Sequence, residues 1–148
     1  MSANSTGSHN IKISTDKQLI DKKAVFDALS RTYWGEGLTY QIVSGCVDNS
    51  MCWGVYDGVK QIGFARVISD KTTFAYLADV YILEEYRGNG YSKMLMKEIM
   101  AHPELQNLRK FWLSTKDAHG LYAQFGFKPV AHPEVIMEIM NPNFYVAR

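Results

Sequence analysis

The chain has 148 residues, 47% of them apolar and 21% charged, and carries a net charge of +1. At roughly 150 residues per domain this is one domain, large enough to bury roughly two thirds of its unfolded surface without disulfides or a structural metal. The near-neutral balance excludes the basic face of a DNA or RNA binder, and no apolar run approaches the ~18 residues of a membrane span.

Cys46 and Cys52 stand in no CxxC spacing and have no nearby histidine, so they read as reduced thiols of a cytoplasmic protein and not as a metal site. The opening "MSANSTGSHN" lacks the basic and apolar regions of a signal peptide. Residues 1–8 read as a disordered polar tail and 9–148 as a single domain.

In chain order, "NIKIST" is a short alternating strand. Asp16 is placed to cap a helix over "KQLIDKKAVFDALSRTYW", with Leu19, Ile20, Ala24, Val25, Ala28 and Leu29 as its apolar stripe. "GEG" at 35–37 ends that helix, and "LTYQIVSGCV" reads as a second short one. "MCWGVYDGVKQIGFARVIS" is two alternating runs joined at Asp57-Gly58, a hairpin signal. A turn at "SDKT" leads into "TFAYLADVYIL", so three consecutive antiparallel strands are expected. Then "YSKMLMKEIMAH" is a helix with Tyr91, Met94, Leu95 and Ile99 on one face, ended by Pro103. "RKFWLST" is a strand, Asp117 the cap of a short helix over "AHGLYAQF", and "FKPV" and "VIMEIM" are two closing strands.

Between the long strand and its helix lies "EEYRGNGYSK". Gly88 and Gly90 permit positive φ and keep side chains out of the turn. The first N–H groups of the helix that follows lack intrahelical partners and lie at the positive end of its dipole. Arg87 adds a forked cation, Ser92 a hydroxyl, and no carboxylate occurs from Arg87 to Lys97, although ordinary helices favour acids in the first turn. This pattern suits an anionic ligand such as a phosphate; the alternative is an ordinary capped turn. A Walker loop is excluded because Tyr91 follows the second glycine, and a Rossmann fingerprint because Lys93 stands at its third.

R-x-x-G-x-S, here Arg87, Gly90 and Ser92, resembles the acyl-CoA pyrophosphate loop of the GNAT N-acetyltransferase family, in which the last position is more often Gly or Ala. "DAHGLYAQFGFKPV" is similar to the family's second signature, with Tyr122, Gly126 and Phe127 in its aromatic and Gly-Phe positions. The element order resembles the family over about residues 11–140. The resemblance implies an α+β fold, a mostly antiparallel twisted sheet flanked by helices. It also implies direct acetyl transfer from acetyl-CoA, without a metal, to an acceptor amine in a ternary complex.

By that resemblance, Arg87, Gly88, Asn89, Gly90, Tyr91 and Ser92 would hold the cofactor's pyrophosphate. Main-chain N–H groups around Val80, Tyr81 and Ile82 would bind the acyl part and its developing oxyanion, and the Tyr122 phenol would protonate the departing thiolate. The general base is less determined. Asp79 is a charge inside an apolar strand, costly unless paired or functional. Strand alternation puts Asp79 and Tyr81 on one face and Ala78, Val80 and Ile82 on the other. Arg66, in phase with Phe64 and Ile68 on the neighbouring strand, could form a buried ion pair with Asp79 or contact substrate. Glu84, Glu85 and His119 read as surface groups.

For the acceptor, Tyr33 and Trp34 in "RTYWGEG" look like an aromatic wall against an amine's carbon skeleton or cation, or else a helix-end plug of the core, and Glu36 could pair with an ammonium. A small-molecule amine is the leading acceptor. A protein or peptide N-acetyltransferase and a non-catalytic acyl-CoA-binding regulatory module are the alternatives. A homodimer is left open.

Overall fold

The computed structural model describes residues 10–145; the expected tail at 1–8 lies outside the described residues. The elements in order are β1 (Ile11–Ser14), α1 (Lys22–Ser30), α2 (Tyr40–Asp48), β2 (Met51–Asp57), β3 (Lys60–Ser69), β4 (Phe74–Ile82), α3 (Tyr91–Met100), β5 (Lys110–Leu113) and α4 (His119–Ala123). They form one sheet in the order β1-β2-β3-β4-β5, with the first four antiparallel and β5 parallel to β4. This is the expected α+β architecture.

Both faces of the sheet are covered. On one, Tyr91, Leu95, Met96 and Ile99 of α3 pack against Trp53, Val55, Ala65, Val67, Leu77 and Ile82. On the other, Val25, Ala28 and Leu29 of α1 and Val43 and Val47 of α2 cover Cys52, Phe64 and Tyr81. Each such fully buried side chain stabilises the fold by about 1.5–3 kcal/mol.

Local readings are corrected in several places. Asp16 caps only a single 3₁₀ turn, Lys17–Leu19, by accepting from Gln18 N. Asp21 caps α1 by accepting from Ala24 N, while its own N–H donates to Gln61 Oε1 at 2.8 Å and pins an extended residue ahead of the helix. In α3 the buried methionine is Met96, and Met94 is exposed. The two lie about 100° to either side of Leu95 on a 3.6-residue helix, so periodicity cannot choose between them; the seating of α3 on the sheet does. The cap of α4 is Ala118 and not Asp117; Ala118 N donates to Thr115 Oγ1 at 3.0 Å.

"FKPV" and "VIMEIM" are not strands. Residues 127–140 form no ladder, and their one regular feature is a 3₁₀ turn at Pro133–Val135. Their β-favouring side chains have no adjacent strand among the described residues, and an extended segment without a ladder partner is not a sheet strand.

The largest departure from ideal geometry lies in β4. Phe64 pairs with Tyr81 and Arg66 with Ala78, so Asp79 and Val80 together oppose Ala65 alone. This is a β-bulge, and Asp79 sits in it at φ +56°. The extra residue flips the alternation. Asp79 and Tyr81 do share a face, but Ala78 belongs with Arg66 and not with Val80 and Ile82. The pairing of β4 with β5 ends at Leu77 and Leu113. Beyond that point the two strands part, and among the described residues no strand lies beside the edge of β4 after the bulge.

Candidate active site

Two clefts flank the bulge. The wider, about 500 Å³, opens where β4 and β5 separate; Tyr76, Ala78, Asp79 and Val80 line one side, Ser114–Ala118 and Tyr122 the other, and Tyr33 and Trp34 stand at its mouth. The narrower, about 200 Å³, lies between α1, α2 and the sheet. It is walled by Val25, Leu29, Leu38, Ile42, Val43 and Phe64, floored by Arg66 and Asp79, and bordered by Cys46, Phe144 and Tyr145. Trp34 and Asp79 line both clefts.

Asp79 is held from two sides. Arg66 Nε donates to its Oδ2 at 2.6 Å, and Trp34 Nε1 to its Oδ1 at 3.2 Å. Arg66 also donates from Nη1 to Ser50 Oγ at 3.2 Å. The ion pair is largely shielded, with each side chain 15% exposed. Burial alone would lower the Arg66 pKa, but the charge of Asp79 and its hydrogen bond more than reverse this, so the guanidinium stays protonated. The expected pair is therefore formed, and it forms beside the cleft.

Tyr122 lies on α4, half-buried, with its ring edge-on to Phe127 at 6.2 Å; Phe127 in turn stacks edge-on with Phe111 of β5 at 5.4 Å. Desolvation raises its pKa, and Asp117 adds to the shift, so the phenol remains a proton donor at neutral pH. Tyr33 and Trp34 meet edge-on at 5.0 Å, and Lys116 Nζ lies 5.2 Å from the Tyr33 ring centroid. Gly35 makes their placement possible. A Cβ there would fall 1.9 Å from the Leu29 carbonyl oxygen, so only glycine lets the loop fold back onto the end of α1.

The loop after β4 has the conformation its glycines suggest, with φ +82° at Gly88 and +81° at Gly90. Gly90 is the N-cap of α3, no side chain caps the helix, and no acid stands in its first turn. A Cβ on either glycine would point into open space. Of the residues expected to hold a cofactor, Arg87, Gly88, Gly90 and Ser92 lie on this loop. Arg87 uses one donor, Nε, on the Ile82 carbonyl at 2.9 Å. The Asn89 side chain closes the turn itself by donating to Tyr86 O at 3.0 Å. Tyr91 and Tyr81 bury their rings, Tyr91 under α3 and Tyr81 on the opposite face beside Phe64 at 6.2 Å, and neither ring lines either cleft. Glu36, Glu84, Glu85 and His119 are exposed and line neither cleft.

Sequence reasoning missed Phe144 and Tyr145. Tyr145 packs so closely on Gly37 that a Cβ there would meet its Cβ at 2.7 Å. Burial raises its pKa, with a further contribution from Asp79. Nothing local marks these residues; only the path of the chain brings them over the sheet to Asp79.

Residues 48–129 match the family model described as an acetyltransferase (GNAT) domain. A GNAT-family protein from Xanthomonas campestris pv. campestris, known by crystal structure, is 47% identical, with a TM-score of 0.88 over 92% of this chain and 96% of its own. A fungal protein from Gibberella zeae that carries an acetyltransferase name is 29% identical over 76% of this chain and 75% of that protein. The fold is also shared, at 16% identity and a TM-score of 0.63, with a Clostridium acetobutylicum protein solved with acetyl-CoA; that likeness covers 88% of this chain and 95% of the other. Among the described residues, no helix is long and apolar enough to cross a membrane.

Proposed function

The chain belongs to the GNAT acetyltransferase family, and from that premise we propose that it transfers the acetyl group of acetyl-CoA to the nitrogen of a small primary amine with a compact apolar body. The observation that carries this reading is the junction at Asp79 and Trp34, which line both the cleft holding Tyr122 and the narrower, mainly apolar pocket. An acyl donor in the first and an acceptor in the second would meet there.

The residues present fit a CoA thioester. The first turn of α3 has neither acid nor capping side chain to compete with a pyrophosphate, and the open edge of β4 presents main-chain groups beside Tyr122. Acetyl-CoA supplies an activated acyl carbon. Asp79 holds the incoming ammonium at Oδ1 and accepts its proton. Main-chain donors after the bulge take the charge that develops on the carbonyl oxygen, and Tyr122 gives its proton to the departing sulfur. The N–C bond forms as the C–S bond breaks, the second proton that the nitrogen loses on acylation returns to the Tyr122 oxygen, Asp79 releases its proton to solvent, and the products are the acetylated amine and the CoA thiol.

The pocket's size and lining favour the acceptor class. About 200 Å³ falls below the roughly 300–1,000 Å³ of ordinary ligand sites, and its walls are aliphatic and aromatic. That suits an amine on a short branched or aryl skeleton better than a polyamine, an aminoglycoside or a lysine within a peptide. The test is release of CoA thiol across a panel containing all four classes, with the acetylated product identified by mass. Turnover of the compact apolar amines is expected. Turnover of lysine peptides alone would move the protein to the peptide-modifying class, and CoA binding with no turnover of any amine would make it a binding module. Tyr145→Ala should raise the acceptor KM and leave acetyl-CoA affinity unchanged; equal effects on both would remove Tyr145 from the acceptor pocket.

A further inference from the structure

Arg66 stands where two hollows meet. The narrower cleft, floored by Arg66 and Asp79, shares Ile42, Cys46, Arg66 and Phe144 with a second hollow of about 410 Å³, whose other side is formed by Gln41, Asn49 and Ser50. Among the described residues, Arg66 and Asp79 are the only charged groups that line the cleft, and Arg66 is the only one that lines the hollow. A guanidinium carries five N–H donors. Nε is used on Asp79 Oδ2 at 2.6 Å and one Nη1 hydrogen on Ser50 Oγ at 3.2 Å. The other Nη1 hydrogen and both on Nη2 have no partner among the described residues, although the side chain is only 15% exposed. Shielded donors left open call for an acceptor, and a planar fork is matched by a carboxylate.

The charges of the cleft point the same way. The single negative charge of Asp79 is already matched by Arg66. A bare ammonium brought to Asp79 Oδ1 would leave one positive charge in excess, in a cleft whose other walls are mainly aliphatic and aromatic, where an uncompensated charge is costly. An acceptor that brings a carboxylate together with its ammonium restores neutrality, with each of its charges beside the opposite one.

We propose that the acceptor is a zwitterion, an apolar α-amino acid, which sets its ammonium on Asp79 Oδ1 and its carboxylate on the open fork of Arg66. Asp79 and Arg66 are joined at 2.6 Å, so two charges that lie against the pair must themselves be close, as on the two sides of one carbon and not at the ends of a chain. The amino acid's side chain then lies among Val25, Leu29, Val43 and Phe64, and its carboxylate faces the more polar hollow. This rests on the acetyl-transfer reading and narrows its compact apolar amine to one that carries a carboxylate. The transfer step is the one already written, with an N-acetylamino acid as its product.

Matched acceptors test the assignment. Valine, leucine, methionine and phenylalanine are each compared with their amides and their decarboxylated amines, which keep the apolar body and the amine and lack the carboxylate. Binding is read by calorimetry in the presence of CoA, and turnover by release of CoA thiol from acetyl-CoA. The preferred amino acid should exceed its amide and its amine by about 10–100-fold in both, the worth of hydrogen bonds to a charged group. Arg66→Gln removes the cation, so the advantage of the acid should disappear and the bare amine should bind as well as the acid or better; if that variant does not fold, the ratios in the parent decide. Amides or amines bound and acetylated as well as the acids overturn the proposal and leave acetyl transfer standing. Acids bound in preference but never acetylated uphold the zwitterion site and overturn the transfer reading. No binding of any of the four acids overturns the proposal, as does a preference for acids that Arg66→Gln leaves unchanged.

Discussion

Replacing Arg66 with Met tests whether the bulge is held by the ion pair beneath it. The substitution keeps most of the side chain's bulk but leaves the Asp79 carboxylate with one donor, Trp34 Nε1. Breaking a fully buried pair costs about 3–5 kcal/mol, because the remaining charge is uncompensated. Each partner here retains 15% exposure and Trp34 still donates, so the loss should be nearer 2–3 kcal/mol. At a few degrees per kcal/mol for a domain of this size, Tm should fall by roughly 5–10 °C. An unpaired, shielded carboxylate binds a proton more tightly in the folded than in the unfolded state. The deficit should therefore be greatest at neutral pH and narrow as the solution is acidified. The double variant Arg66→Met/Asp79→Leu removes both charges and should recover most of the lost stability. Thermal unfolding followed by circular dichroism at pH 5 and pH 7 measures all of this. A single variant as stable as the parent, or a double variant no better than the single, would refute the argument that the pair's two charges depend on one another.

Tyr122→Phe keeps the ring against Phe127 and removes only the hydroxyl; kcat should fall by about 10–100-fold, at or below the low end of general-acid effects, with the KM for acetyl-CoA little changed. Because burial raises the Tyr122 pKa, the parent's kcat should hold into alkaline solution and fall only above the ordinary tyrosine range, a limb the Phe variant lacks; a parent profile that falls below pH 9 would sink the acid role. Gly90→Asp puts a side chain at φ +81° and a negative charge at the N-terminus of α3, and calorimetry should find CoA binding at least about tenfold weaker; unchanged affinity in a folded variant would misplace the loop. Asp70 accepts hydrogen bonds from Thr72, Thr73 and Phe74 main-chain N–H groups and from the Thr73 hydroxyl, which hold its carboxyl well below the usual range. Its contribution to the β3–β4 turn is present above about pH 4 and lost as pH falls below that, so Asp70→Ala should be less stable than the parent at pH 7 and converge with it in strong acid.

Much of the fold was legible because its determinants are local. The alternating runs on either side of Asp57-Gly58 and the turn at "SDKT" depend on neighbouring residues and stand where the sequence places them, while the strand expected to reach Leu83 ends one residue earlier, at Ile82. The glycine loop was legible for the same reason: positive φ at Gly88 and Gly90 and the acid-free first turn of α3 are properties of eleven consecutive residues. Asp79 could be singled out as a charge in an apolar strand, and Arg66 as its partner by phase. Its bulge could not, because one extra residue against Ala65 is a relation between two strands, written in neither.

The site itself belongs to tertiary structure. The parting of β4 from β5, the seating of Trp34 on Asp79 through the close approach at Gly35, and the return of Tyr145 to Gly37 are contacts between residues far apart in the chain. Val135–Met140 marks the limit most clearly. Its residues include several that favour a strand, yet strand structure requires a neighbour to complete its hydrogen bonds, and among the described residues no strand lies beside it. Periodicity and turn chemistry are settled by side chains a few residues apart, whereas register, strand separation and partner choice depend on what the rest of the molecule brings alongside.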